Sequence, residues 1–309
     1  MQSVMRFTQR LKSVHFQLIQ RITEHSQLSL AAHTLGITQP AASRMLAEIE
    51  MLVGAPLFKR HPKGMVPTSV GKLFGQHART ITSAMTNLES EVAHLNTGKL
   101  GQVRVGAVTG PAIGCLVPAV QQVKANAADL HITIEVGPSN QLMRGLVERA
   151  FDFVIARLSP EDDSRNFKIT PARSEPVSLL VRKNHPLSNV KQLRINDLQH
   201  YEWVIQEHGS PIRQALEYAF HLSQVKIPIN ITNTSSALVM LAYLESTDAI
   251  TAQSQEVALM LTRPNLGANL TLLDHVEEII VPPFFIIQNI DQPLSPAASL
   301  LLDEVLVRI

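Results

Sequence analysis

The chain holds a single cysteine, Cys115, which excludes an internal disulfide and suits a reducing compartment such as the cytoplasm. No apolar run approaches the roughly 20 residues that span a bilayer. The first stretch is interrupted by Arg6, Arg10, Lys12 and His15, which breaks the basic, apolar, small-residue order of a secretory signal. Patterns for catalysis and metal binding are missing too. Twelve histidines are scattered without an HxxxH or HxH pair and, with one Cys, they predict no metal site. Gly106, Gly110 and Gly114 follow a strand pattern but lack GxGxxG spacing, and neither a GxxxxGK(S/T) loop nor a GxSxG elbow occurs. His185, before Pro186, reads as the end of a strand rather than as a base. These absences argue against an enzyme and against a bound cofactor.

What is present is enough chain for two or three domains with real cores: 309 residues, 45% hydrophobic and 17% charged. The formal charge of +1 conceals an asymmetry. Residues 1–66 carry eight Lys or Arg against three Glu, a net +5; the remainder carries 19 basic and 23 acidic residues, a net −4. A basic N-terminal module on a mildly acidic body fits nucleic-acid binding by the first part alone, although a charge run is also how a solvated face reads.

The chain is organised around Leu28 to Thr68. Leu28, Ala31, Ala32 and Leu35 recur at helical spacing and stop at Gly36. Thr38 offers an N-cap hydroxyl, and Pro40 stands early, where a missing N–H costs nothing. Ala42, Met45, Leu46 and Ile49 then draw an apolar stripe, leaving Gln39, Ser43, Arg44 and Glu48 on the polar side. A short helix, a tight turn and a second helix opening with small, polar and cationic residues is a helix-turn-helix pattern. Gln pairs with adenine, Arg with guanine, and Ser or Thr with base edges or phosphate. The basic turn Lys59, Arg60, His61, Lys63, Gly64 suits phosphate as a wing. The DNA-binding candidates are Ser29, Thr38, Gln39, Pro40, Ser43 and Arg44, with Arg60 and Lys63 on phosphates.

Over these residues the chain resembles the LysR-type transcriptional regulators. The likeness runs through Ala31–Glu50, then Gly54, Pro56, Leu57, Phe58, Lys59 and Arg60, then Pro67-Thr68 leading into a helix; it is dense over roughly the first 70 residues and thinner beyond. The start Met5–Gln20 looks like regulators of sugar or aromatic-acid uptake and catabolism.

A first helix is predicted from Leu11 to Glu24, behind the helix-turn-helix. Ser69 to Leu95 carries a stripe from Val70 through Leu73, Phe74, His77, Ile81, Ala84, Met85, Leu88 and Val92 to Leu95, a helix of roughly 40 Å that needs a partner surface. That partner is either its own C-terminal domain or another subunit. The resemblance implies the second: a homodimer through an antiparallel coiled coil, and a dimer of dimers on a pseudo-palindromic operator of double-stranded DNA, with RNA polymerase as a further partner. Asn96 to Gly101 breaks the helix.

Beyond it, strand and helix patterns alternate. Strands are expected at 103–108, 130–136, 151–155, 177–181, 203–206, 227–232, 249–251, 270–273 and 279–288, and helices at 111–126, 139–149, 211–222, 235–245 and 295–309. This predicts α/β layers with mostly parallel sheets. The fold class is an all-α winged helix-turn-helix plus linker helix, followed by an α/β effector domain. The resemblance implies that this domain is bilobal, like a periplasmic binding protein, with two crossing strands. The expected domains are 1–68 for DNA, 69–97 for the linker, and 101–309 for the effector. Lobe I spans about 101–172 and 275–309, lobe II about 173–274, with V181-RKNHPL-L187 placing the crossing near Arg173.

Strand ends that run into helix starts mark a polar cleft. They are Thr109-Gly110, Pro138-Ser139-Asn140, Gly209-Ser210 after His208, and Asn233-Thr234-Ser235. The resemblance adds Arg157, at the end of a strand, as a residue near the ligand. Thr109, Ser139 and Ser235 also sit where simple N-caps are expected. Where the family has a glycine-rich turn this chain has Ser246 to Ala252, and Asp248 and Thr251 there predict a pocket that favours a hydroxylated ligand. The reading is a cytoplasmic regulator responding to a small molecule. The alternative is a cytoplasmic binding protein or enzyme on the same bilobal fold, with the N-terminal helices as a dimerisation cap.

Overall fold

Apolar stripes on three short helices build the first core. In the computed structural model, which describes residues 7–62, 64–97, 101–159, 162, 164–266 and 268–309, these are α1 (Ser13–His25), α2 (Leu28–Thr34) and α3 (Gln39–Val53). Leu18, Ile19, Ile22, Ala31, Ala42 and Ile49 are at most 1% exposed where they meet. A hairpin follows, β1 (Phe58–His61) with β2 (Gly64–Pro67), antiparallel. It is tied down at both ends: Glu50 Oε1 accepts from Leu57 N at 2.7 Å and Phe58 N at 3.2 Å, and Met65 N donates to Ser26 O at 2.7 Å.

α4 (Ser69–Thr97) is the long helix the stripe predicts. One face packs on α1: Phe74 stacks on Phe16 with ring centres 5.9 Å apart, Ala78 is fully buried, and the Thr82 hydroxyl donates to Gln20 Oε1 at 2.6 Å. Leu73, Ile81, Met85, Leu88 and Val92 are exposed along the rest. The side chain of Leu95 lies outside the described residues.

The C-terminal part begins with β3 (Gln102–Ala107). The turn α5 (Thr109–Pro111) leads through a π-helical stretch, Ala112–Leu116, into α6 (Val117–Asn126). Then come β4 (His131–Val136), α7 (Ser139–Val147), β5 (Phe153–Ala156), β6 (Phe167–Pro171) and β7 (Glu175–Arg182). α8 (Ile195–Leu198), β8 (Trp203–Ile205), α9 (Pro211–Leu222), β9 (Ile231–Asn233) and α10 (Ala237–Ser246) follow. The chain ends with β10 (Thr251–Ser254), α11 (Gln255–Leu261), β11 (Leu270–Leu272), β12 (Ile280–Val281), β13 (Phe285–Asn289) and α12 (Pro296–Leu306).

One sheet has the order β4-β3-β5-β13-β6, and a second has β10-β7-β11 with β12 also on β7. The expectation of mostly parallel sheets needs correction. β3 and β5 are parallel, as are β8 and β9, but β13 runs antiparallel to β5 and β6, and every partner of β7 is antiparallel to it. The cause is the pair of connections between sheets, which carry the chain one way through Ala172–Ser174 and back through Pro282–Phe284. Pro282 and Pro283 cannot donate to a ladder, so the strand expected over 279–288 divides into β12 and β13. The strand β6 lies outside the expected set, and the strand expected from Ile227 is confined to Ile231–Asn233. Around the second sheet, Trp203 and Phe220 meet edge to face at 5.7 Å in a core with Val177, Leu179, Leu198 and Ile250.

Contacts divide the chain into two units. One is Met1–Arg104 with Asp129–His131 and Arg144–Asp152; the other is Val105–Ala128, Ile132–Met143 and Phe153–Ile309.

Candidate nucleic-acid interface and effector site

The start of α3 is built to be presented rather than packed. Thr38 is its N-cap, in extended conformation, with its hydroxyl accepting from Ala41 N at 3.4 Å; Pro40 sits in the first turn. Ala42, Leu46 and Ile49 anchor the opposite face, so Thr38, Gln39, Pro40 and Arg44 are exposed and Ser43 is half-buried. Arg44 makes no ion pair among the described residues, so its guanidinium is available for an external acceptor. Ser29, in the first turn of α2, and Arg60, on β1, are also exposed. Lys63 lies outside the described residues.

The effector candidates gather at the C-terminal ends of strands. Val108, after β3, donates its N–H to Ile155 O at 3.0 Å, and Gly137 N, after β4, donates to Ala107 O at 3.4 Å. Thr109-Gly110, Pro138-Ser139-Asn140 and Arg157 therefore share one edge. Thr109, Pro138 and Asn140 are exposed, and Asn140 Oδ1 accepts from Gln141 N at 2.8 Å. Within that edge, Ser139 Oγ accepts the Arg157 backbone N–H at 3.0 Å. In the other sheet region, Thr234 N donates to Ile205 O at 2.9 Å, which brings Asn233-Thr234 beside the end of β8. Ser210 caps α9, accepting from Arg213 N at 3.3 Å, and Gly209 before it is exposed. The 209–210 and 233–235 stretches make no hydrogen bond to the 109–110, 138–140 and 157 set among the described residues.

The expected caps and the expected polar pocket segment change here. Thr109 is the first residue of α5, with Val108 in the cap position, and Ser139 bonds Arg157 rather than its own helix. The cap of α10 is Ser236, whose Oγ accepts from Val239 N at 3.4 Å; Ser235 stands exposed before it. Asp248 is not at the strand ends. Its carboxylate pairs with Arg182 at 2.7 Å and its carbonyl meets His185 Nε2 at 3.1 Å, at the far end of β10 from Ser254. Thr251 is fully buried in β10.

Sequence reasoning missed Glu175. It opens β7 at 3% exposure, pairs with the Arg157 guanidinium, and lies against Gly110, where an added Cβ would stand 1.8 Å from its Oε1. Its signal was a lone carboxylate heading a strand with the apolar positions Val177, Leu179, Leu180 and Val181. Nearby, Arg173 Nη2 pairs with Glu256 at 3.1 Å and lies 3.8 Å from Cys115 Sγ. Burial, above the other influences, pushes that thiol's pKa up, which keeps it protonated and unreactive. Among the described residues no group of His, Cys, Asp and Glu could hold a metal ion, and no helix is long and apolar enough to cross a membrane.

Comparison with known proteins bears on both sites. Residues 14–72 match the bacterial regulatory helix-turn-helix proteins of the lysR family, and residues 96–307 match the LysR substrate binding domain. The chain is 36% identical over 246 residues to the HTH-type transcriptional regulator GbpR of Rhizobium radiobacter, covering 79% of this chain and 82% of that protein. It is 32% identical over 290 residues to GbpR of Azospirillum brasilense, covering 94% and 84%. Its fold is similar to that of CbnR in a crystal structure with its target DNA (TM-score 0.70, 16% identity, 97% of this chain and 100% of that one). Full-length BenM gives a TM-score of 0.52 at 20% identity, with 96% of each chain covered. An exposed helix start on a winged helix-turn-helix, joined to a substrate-binding domain of this kind, makes the chain a member of the LysR family: a DNA-binding transcriptional regulator with an effector-binding domain, and not an enzyme.

Proposed function

We propose that Gln39 and Arg44, with Ser29, Thr38, Pro40 and Ser43 around them, enter the major groove, while Arg60 and Lys63 hold phosphates. What supports this is the first two turns of α3, where Gln39 and Arg44 lie exposed on the face away from the buried Ala42, Leu46 and Ile49. Residues 1–68 form the DNA-binding domain, 69–97 the linker and 101–309 the effector domain in two lobes. The apolar side chains left exposed on α4, Leu73, Ile81, Met85, Leu88 and Val92, are the homodimer seam. Two such dimers assemble on the operator, with RNA polymerase as a further partner, and the protein works in the cytoplasm. The effector lies at Thr109, Gly110, Pro138, Ser139, Asn140, Arg157, Gly209, Ser210, Asn233, Thr234 and Ser235, and its binding shifts how the dimers engage DNA. The genes controlled serve uptake or catabolism of a sugar or an aromatic or organic acid.

Selection of binding sites from random double-stranded DNA tests the core of this reading. It should return an inverted repeat whose half-sites lie about one helical turn, roughly 10 base pairs, apart or a multiple of it. Recovery of unrelated sequences with no repeat would overturn it.

A further inference from the structure

The carboxylate that opens β7 occupies what an acidic ligand would need. Glu175 is 3% exposed, its Oε2 pairs with the Arg157 guanidinium, and its Oε1 lies against the Gly110 backbone. Arg157 is held from two further sides, since its Nε donates to Pro282 O at 2.9 Å and its backbone N–H to Ser139 Oγ at 3.0 Å. The cation at the strand ends is therefore neutralised by the protein's own carboxylate. An incoming carboxylate would meet the buried Glu175 as a like charge, which disfavours it.

Among the described residues, two buried polar atoms around this seam lack a partner. Ser254 is 1% exposed, its Oγ has no hydrogen-bond partner, and it lies 2.8 Å from the place a Gly110 Cβ would take. One helical turn along, Gly114 abuts Glu256 in the same way, at 2.6 Å from its Cγ. Glu256 Oε1 is held by Arg173, but its Oε2 is buried without a partner. Two carboxylates balance two arginines, so the seam carries no net charge. What is left over is a serine hydroxyl, which can donate or accept, and a carboxylate oxygen, which accepts; each buried polar group without a partner costs about 1–3 kcal/mol.

We propose that the effector is a neutral, hydroxyl-rich molecule, a polyol or monosaccharide, and that Glu175 is the residue that excludes carboxylates from its site. This rests on the reading of the strand ends as the effector site. Each ligand hydroxyl can donate to Glu256 and exchange a hydrogen bond with Ser254 without adding charge, whereas a carboxylate only accepts and would meet Glu256 Oε2 acceptor to acceptor.

The test is isothermal titration of the full-length protein with neutral aldoses and alditols, with the uronic acids that match those aldoses in configuration, and with succinate and benzoate. Expected is millimolar or tighter binding of at least one neutral member, with its uronic acid about tenfold weaker or worse, a difference of about 1.4 kcal/mol. Glu175→Gln should erase that preference by freeing Arg157. Ser254→Ala keeps the Arg157 pair and should weaken the neutral ligand severalfold without changing the preference, which keeps the proposal testable if Glu175→Gln fails to fold. Carboxylates binding the wild type as tightly as neutral sugars, or no neutral member binding at all, would overturn it. A carboxylate that binds and alters operator affinity would sink the ligand class and leave the regulator reading standing. If no compound of either class changes operator affinity, the effector reading falls with it.

Discussion

Gly71 lies in the first turn of α4 with its Cα facing the backbone of Leu57, the residue that leads into β1. A Cβ there would stand 1.9 Å from Leu57 O and 2.8 Å from Leu57 C. Ordinary contact needs about 3.4 Å, so Gly71→Ala must move α4 and β1 apart by more than an ångström. Those two elements are held by Thr68, whose N–H and hydroxyl both reach Leu57 O, at 2.9 and 3.2 Å. Overpacking costs about 1–3 kcal/mol, and losing two hydrogen bonds adds about 0.5–1.5 kcal/mol each. The sum is roughly 2–6 kcal/mol, a large share of the stability of a small module. Gly36→Ala is the control. Gly36 has φ +66° and nothing within 4 Å of an added Cβ, so only left-handed strain of about 1–2 kcal/mol applies. Urea denaturation of both variants, followed together with operator affinity, separates the two costs. Gly71→Ala should lose more stability than Gly36→Ala, and it should weaken DNA binding because the wing hangs from the displaced strand. Equal or smaller losses for Gly71→Ala would refute the packing described for α4.

Three other outcomes follow from particular contacts. Glu50→Ala leaves the Leu57 and Phe58 N–H groups without their acceptor and should cost about 1–3 kcal/mol in chemical denaturation, while Glu50→Gln, which keeps one oxygen, should recover most of it. Leu88→Glu places a charge on the exposed stripe of α4, so light scattering should show the assembly dissociating at concentrations where the wild type stays associated. His185 accepts from Leu187 N through Nδ1 at 3.0 Å and meets the Asp248 carbonyl through Nε2, so it is folded in neutral, and burial above all lowers its pKa below the ordinary 6.5. His15 is lowered for the same first reason. The unfolded chain takes up these protons as pH falls through about 6.5 and the folded chain resists. Stability should therefore decline as pH drops through that value and level off below the lowered folded pKa, and His185→Gln should flatten part of the decline.

The DNA-binding half was legible because its determinants are local. Thr38, Pro40 and the Ala42–Ile49 stripe fix a helix and its exposed face within a dozen residues, and the structure shows that cap and that face. The effector half was legible only in outline. β6 carries Lys168 and Thr170 among its apolar residues and became a strand because β13 pairs along its length, more than a hundred residues away. Asp248 looked like a pocket residue from its neighbours in sequence, yet its partner is Arg182, across the sheet from it. Glu175 is the clearest case: a glutamate beside a proline reads as a strand end in water, and only Arg157 and Gly110, brought in by the fold, make it a buried group. Capping was misplaced by a residue or two where several hydroxyls stand in a row, as at Thr234, Ser235 and Ser236, because sequence does not say which of them turns extended.

The most direct measurement is fluorescence anisotropy on the selected operator and on random DNA, across a salt series, for wild type and Gln39→Ala/Arg44→Ala. The account predicts salt-dependent binding by both proteins, with the double variant losing about a hundredfold on the operator, from roughly 1–3 kcal/mol per base contact, and little on random DNA. An operator affinity unchanged by the double substitution, or no preference of the wild type for the operator over random DNA, would contradict the assignment of α3 as the element that reads sequence.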